Sequence, residues 1–247
     1  EIQIAVGAGY SQPSATLLAD GRVAISYTFG GQIYTQIIDT RDNATEGDMP
    51  LDGDEYDYWV GTVGDDTFTV SSGRGDVHGW DGNDDITESG AIRNYFGGEG
   101  DDTLRVSSPI NSDLHDGGNG IDLIDWSGSG ESNVTFDLEA GTASDGINTE
   151  SMVDFEQLRG TTNADTILGL SSASDTLSGD GGDDIIDGRG GNDLLEGDAG
   201  NDILDGGAGN DSLDGGADDD TLIGGSGTDP LNGGSGTDTA DYSGNGI

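Results

Sequence analysis

The sequence predicts an all-β fold wound from nine-residue repeats, in two roll segments with a small N-terminal β region. Three observations predict it: an unbroken period of nine, glycine and aspartate held in fixed columns, and a lone aliphatic residue closing each repeat. From Gly179 to Asp241 the chain reads GDGGDDIID, GRGGNDLLE, GDAGNDILD, GGAGNDSLD, GGADDDTLI, GGSGTDPLN, GGSGTDTAD. Short repeats of this kind cannot bury a face alone and stack into a β-helix. Disorder, the other reading of so much glycine and acid, predicts scattered residues instead of columns.

Position 1 is Gly179, Gly188, Gly197, Gly206, Gly215, Gly224 and Gly233. Position 4 is Gly182, Gly191, Gly200, Gly209, Gly227 and Gly236, with Asp218 in the fifth repeat. Position 6 is Asp184, Asp193, Asp202, Asp211, Asp220, Asp229 and Asp238. Position 8 is aliphatic throughout, from Ile186 to Ala240. Each nine divides into a six-residue loop and a three-residue strand. Only the middle residue of the strand points inward.

A weaker block lies upstream. GTVGDDTFT, GWDGNDDIT and GGEGDDTLR place Gly61, Gly64 and Asp66, then Gly79, Gly82 and Asp84, then Gly97, Gly100 and Asp102, 18 residues apart. Gly75 and Arg93 stand where the intervening repeats should carry Asp, which predicts a one-sided roll. GGNGIDLID, from Gly117, follows two residues out of phase and carries Asp122. Asp165 and Asp175 end a degenerate pair that leads into the regular array.

The expected organisation is a hairpin or capping region with an acidic linker at 1–60 and a first, partly degenerate roll at 61–125. A non-repeat β interruption follows at 126–159, then a second, regular roll with a short tail at 160–247. VAISYTF and QIYTQIID alternate as strands about Gly30-Gly31. In the interruption, VTFDLEAGTA reads as one strand and SMVDFEQLRG as a strand or short helix. Ile185, Leu194 and Ile203 are apolar at the outward position 7, which predicts that residues 126–159 cover that part of the roll.

Composition excludes several functions. Among 247 residues, 50 Asp and Glu face 7 Arg and no Lys, for a formal net charge of −43. Nucleic acid and anionic membranes need a basic face, so neither is an expected partner. With no cysteine, disulfides, thiolate metal sites and cysteine nucleophiles are excluded. No apolar run reaches the length of a membrane span. The chain opens on Glu1 without a signal-peptide pattern, which suits an excised fragment or a mature product.

The columns carry chemistry. Glycines let backbone carbonyls turn toward one point, and the position-6 Asp adds a carboxylate there. Six to eight hard oxygen donors suit Ca²⁺. Only His78 and His115 offer nitrogen, so zinc is a poor fit; both histidines read as loop residues. No HExxH or GxSxG motif is present, and no catalytic constellation emerges. Arg74-Gly75-Asp76 and Asp229-Pro230 are cheap matches in so biased a composition. Trp59, Trp80 and Trp126 read as buried or capping residues before sugar-stacking ones.

The nonapeptide G-G-x-G-x-D-x-U-x resembles the calcium-binding RTX (hemolysin-type) repeat of secreted bacterial proteins. The likeness is strong over 179–241 and patchy from 61 onward. It implies a calcium-bound parallel β-roll, a right-handed β-helix in which two nines complete one coil. Loops two repeats apart then stack, and Ca²⁺ sits between them on carbonyls and an Asp from each. On that scheme Asp184, Asp202, Asp220 and Asp238 line one edge and Asp193, Asp211 and Asp229 the other. The glycines and aspartates named above, Asp122, Asp165 and Asp175 included, are the expected metal residues, for roughly five to nine ions. The resemblance further implies a larger, secreted or cell-surface protein exported by type I secretion machinery. There the module is a folding switch and scaffold, not an enzyme, and a neighbouring domain of the same chain is a further expected partner. A Ca²⁺-dependent adhesin or glycan- or protein-recognition segment is the alternative.

Overall fold

The computed structural model describes residues 58–242 apart from 62–63, 71–75, 89–91 and 93, together with three strands near the N-terminus. The acidic linker, Arg74 and Gly75 of the Arg-Gly-Asp triplet, Arg93, the Trp59 side chain and the last five residues lie outside what is described. The N-terminal strands Tyr10–Leu17, Val23–Phe29 and Gln32–Ile38 form an antiparallel sheet. Phe29 pairs with Gln32 across Gly30-Gly31, as the alternating pattern implies.

All other described elements are strands too, laid in two sheets of 12 and 9 strands. Successive repeats alternate between them. Ile185–Asp187 pairs in parallel with Ile203–Asp205, and Leu194–Glu196 with Ser212–Asp214, each 18 residues on. Two nines therefore make one coil. Three-residue strands suffice because each borrows its ladder from the coils on either side.

The middle residue of each strand is the core. Ile167, Ile186, Leu204 and Leu222 are stacked on one sheet, and Leu158, Leu177, Leu195 and Leu213 face them from the other. The stack thins at the C-terminal end, where Leu231 is half-buried and Ala240 exposed. Leu204→Ala is expected to cost about 2–5 kcal/mol in denaturant unfolding at saturating Ca²⁺. Its neighbour Ile203, whose side chain points out, is expected to tolerate Thr within about 0.5 kcal/mol. Equal losses at the two positions would contradict the inward–outward assignment.

The interruption joins the sheets edge-on. VTFDLEAGTA is not one strand but two, Thr135–Asp137 and Thr142–Ser144, paired antiparallel about a turn at Gly141 (φ +67°). A third strand, Thr149–Val153, returns antiparallel to the second and lies parallel to Leu114–Asn119 of the first roll. On the other side Thr135–Asp137 runs parallel to Thr166–Leu168 of the regular roll. The second sheet has no break: Leu123–Asp125 pairs directly with Gln157–Arg159, and that strand with Thr176–Ser178. SMVDFEQLRG thus contains two strands and no helix.

Because the insertion adds rungs, it does not lie on the roll's face. Ile185, Leu194 and Ile203 remain 48%, 37% and 44% exposed, so the expected cover is absent. Backbone pairing at the sheet edge satisfies the insertion's own hydrogen bonds, which packing on a face would not. The histidines need correction as well. His78 lies in the strand Asp76–Asp81, stacked on Phe96 with ring centroids 4.6 Å apart. His115 points inward from Leu114–Asn119 and is buried beside Trp126. Trp126 is a core residue, whereas Trp80 is exposed on a positive-φ backbone.

Candidate metal centre

The loops turn because two of their six residues adopt positive φ. At position 2 these include Asp180 (φ +68°), Arg189 (+62°) and Asp198 (+69°), so glycine is dispensable there. At position 4 Gly191 and Gly209 reach +151° and +150°, a region closed to side chains. Asp218, the exception, shifts to +80° and keeps its loop, donating its N–H to the Ser235 carbonyl at 2.8 Å.

Position 1 is glycine for space. A Cβ on Gly188 would lie 2.6 Å from Asp193 Oδ2 and 3.0 Å from the Gly206 carbonyl oxygen. The same pair of oxygens crowds Gly169, Gly179, Gly197 and Gly206. A carboxylate oxygen and a backbone carbonyl oxygen from the next coil thus converge beside each of these glycines. Gly188→Ala is expected to raise the Ca²⁺ midpoint of folding several-fold. Gly181→Ala, at position 3 where Ala199 and Ala217 already stand, should leave it unchanged. Equal midpoints for the two variants would refute the crowding argument.

The position-6 side chains form two columns. On one edge Asp66, Asp84, Asp102 and Asp122 are joined N–H to Oδ1 at 2.7–2.8 Å. The Asp122 N–H then donates to Glu156, which fills the column where the insertion returns to the roll. Asp175, Asp193, Asp211 and Asp229 continue that edge at 2.9–3.0 Å. On the other edge Asp165, Asp184, Asp202, Asp220 and Asp238 are joined at 2.7–3.2 Å, and the Val134 N–H caps the top on Asp165. Asp238 is exposed, unlike the rest.

One oxygen of each inner carboxylate is thereby satisfied and the other is not. Oδ2 of Asp84, Asp102, Asp122, Asp184, Asp193, Asp202, Asp211 and Asp220 is buried with no hydrogen-bond partner, as is Oδ1 of Asp175. Burial, the largest cause, pushes these acids up, and neighbouring carboxylates add to it, in most cases those of the same column. Asp184 rises to about 8, Asp84, Asp122 and Asp202 to about 7, and Asp102, Asp175 and Asp193 to about 6. A buried, unpartnered charge calls for a counter-charge.

The donors available are hard oxygens, one or two carboxylates with loop carbonyls. Among the described residues no three His, Asp or Glu side chains converge on one point. A site here therefore draws much of its shell from the backbone, which suits Ca²⁺. Two contributors were not evident from the repeat. Glu156 replaces Asp in a shortened loop, betrayed only by the strand triplet QLR that follows. Position 5 bears a second, exposed ladder: the N–H groups of Asn201, Asp219 and Thr237 donate to side chains 18 residues earlier, Asp183, Asn201 and Asp219. It runs opposite to the position-6 ladder, so each loop is held from both neighbours.

An all-β roll with two columns of buried, half-satisfied carboxylates defines a calcium-binding β-solenoid. The family model of the RTX calcium-binding nonapeptide repeat (4 copies) matches residues 159–195, 170–204 and 205–240. The chain carries RTX repeats over that stretch, in agreement with the spacing of its glycines and aspartates. No curated protein matches the chain. The RTX roll is a structural calcium-binding fold, and among the described residues no helix is long and apolar enough to cross a membrane.

Proposed function

We propose that this chain is the calcium-triggered folding and stabilising roll of a larger bacterial protein, exported by type I secretion machinery and at work outside the cell. The observation that carries the reading is the row of buried carboxylate oxygens without partners along both edges. Ca²⁺ would be held between stacked loops by the position-6 aspartates, from Asp66 to Asp122 and from Asp165 to Asp238. Carbonyls of the position-1 and position-4 glycines would share the shell. Bound there, the ion supplies the positive charge that lets the columns stay ionised and stacked. In a calcium-poor cytoplasm the chain remains open and fit for export; outside, mass action on the folded form closes the roll.

Residues 160–242 and the first-block column together support roughly five to nine ions. Equilibrium dialysis with ⁴⁵Ca²⁺ tests the assignment. Asp202→Asn should lose ions from one edge only, because Asp202 is shared by the loops above and below it. An unchanged count would remove the columns as the binding sites.

A further inference from the structure

The regular roll meets its own charge differently at its two ends. Arg189 is the last basic residue of the sequence, so from residue 190 onward every charged side chain is an acid. Beyond that point the position-6 columns can be neutralised only by cations from outside. Arg189 stands at position 2 of its loop, where later repeats carry Gly207, Gly216, Gly225 and Gly234. Its guanidinium leaves the loop for the inserted strand Thr135–Asp137. There Nη1 and Nη2 donate to Oδ1 and Oδ2 of Asp137 at 2.9 and 3.0 Å, and Nη1 also donates to the Gly169 carbonyl at 2.9 Å. Both side chains are largely buried, and a forked pair of this kind fixes geometry as well as charge. Arg159, where the insertion returns to the roll, meets Asp180 of the first repeat at 3.2 Å.

The insertion also closes the first coil with its own groups. Asp184 and Asp202 leave Oδ2 bare, but Asp165 Oδ2 accepts the N–H and the hydroxyl of Thr161 at 2.7 and 2.8 Å. Asp165 Oδ1 accepts the Val134 N–H at 3.0 Å. Asn163 Nδ2 donates to the Glu131 carbonyl at 2.7 Å, and Glu139 Oε2 accepts both the N–H and the hydroxyl of Ser171, at 2.9 and 3.0 Å. None of these contacts waits for an ion. At the other end the last coil is thin: its strand Leu231–Asn232 has two residues, Leu231 is half-buried, and Asp238 and Ala240 are exposed.

In a stack whose coils touch only their neighbours, folding starts where the first interface is most stable and spreads by adding coils. We propose that the inserted hairpin is the template on which the regular roll nucleates, so that folding runs in one direction, from the coil of Asp165 toward that of Asp238. This rests on the calcium-triggered reading and adds a direction to it. The Arg189–Asp137 latch and the Thr161 and Val134 donors hold the first coil in place. Each later coil then closes on a preformed one as Ca²⁺ neutralises the pair of loops between them.

The test is pulsed hydrogen exchange on the whole chain after a jump from chelator into Ca²⁺. The amides of Thr166–Leu168 and Ile185–Asp187 should gain protection first and those of Thr239–Asp241 last. In the same jump Arg189→Gln and Asp137→Asn should each slow the rise of the β signal several-fold, with its decay after chelator addition nearly unchanged. Leu222→Ala, late in the sequence of coils, should do the reverse. A merely stabilising latch would quicken the decay instead, and that result would overturn the proposal. So would protection that appears at the C-terminal strands first, or at all strands together. A parent chain already protected over 160–241 in chelator would overturn the calcium-triggered reading and this one with it, whereas a reversed order overturns the direction alone.

Discussion

In excess chelator at neutral pH, the circular dichroism of the chain is expected to lose the β signal of residues 160–241. Added Ca²⁺ should restore it in one cooperative step near millimolar concentration, the range of extracellular calcium modules. The magnitude follows from the columns. Each coil contributes one inward aliphatic side chain per sheet, a thin core for so many ordered residues. Against it stand carboxylates stacked one coil apart, their second oxygens buried and unpartnered. Cooperativity follows from sharing: Asp202 accepts from the Asp184 N–H and donates its own N–H to Asp220, so an empty site loosens the loops on both sides. A full β signal in chelator would sink this account of the roll.

The second large effect is a reversal of pH dependence by calcium. Asp184, Asp84, Asp122 and Asp202 have folded pKa values of about 7–8, and Asp102, Asp175 and Asp193 about 6, all above the ordinary 3.8. Between pH 4 and 8 the calcium-free folded chain thus binds more protons than the unfolded one. Its stability must fall as pH rises through that window, by up to about 1.4 kcal/mol per pH unit for each proton of difference. Buried His115, lowered to about 4 by desolvation, and His78, lowered chiefly by the same cause, oppose this below pH 6.5, but they are two histidines against seven acids. With Ca²⁺ present the ion needs ionised carboxylates, and protons compete with it. The Ca²⁺ midpoint should therefore rise as pH falls. Circular dichroism in chelator from pH 8 down to pH 4, with Ca²⁺ titrations at pH 5 and pH 8, checks both signs; a chelated β signal that increases with pH would contradict the buried columns.

Legibility followed regularity. Where the nine is intact, spacing alone places Asp184 above Asp202 and Asp193 above Asp211, and the structure joins those same pairs. Even the degenerate Asp165 and Asp175 stack on their nearest regular neighbours. Glu156 escaped notice because its loop is shortened, which removes the glycines that mark the phase. Glu150 escaped because nothing local distinguishes an acid in TESMV from a solvated one; its burial comes from the strand Leu114–Asn119, distant in sequence. The expected cover over Ile185 and Ile203 failed for a related reason. Outward apolar residues report a demand for burial, not whether any segment meets it.

The sequence by itself determined the repeat unit, its division into loop and strand, the inward residue and the alternation of carboxylates between two edges. These are local properties, set by glycine's conformational range, the two-residue period of a strand and the reach of one side chain. Only the tertiary structure decided that the second sheet passes unbroken beneath the insertion, from Leu123–Asp125 to Gln157–Arg159, so that the roll segments share one core. Strand pairing between distant segments depends on which edge is left open by the preceding coil. That is a property of the assembled stack, and no nine-residue window contains it.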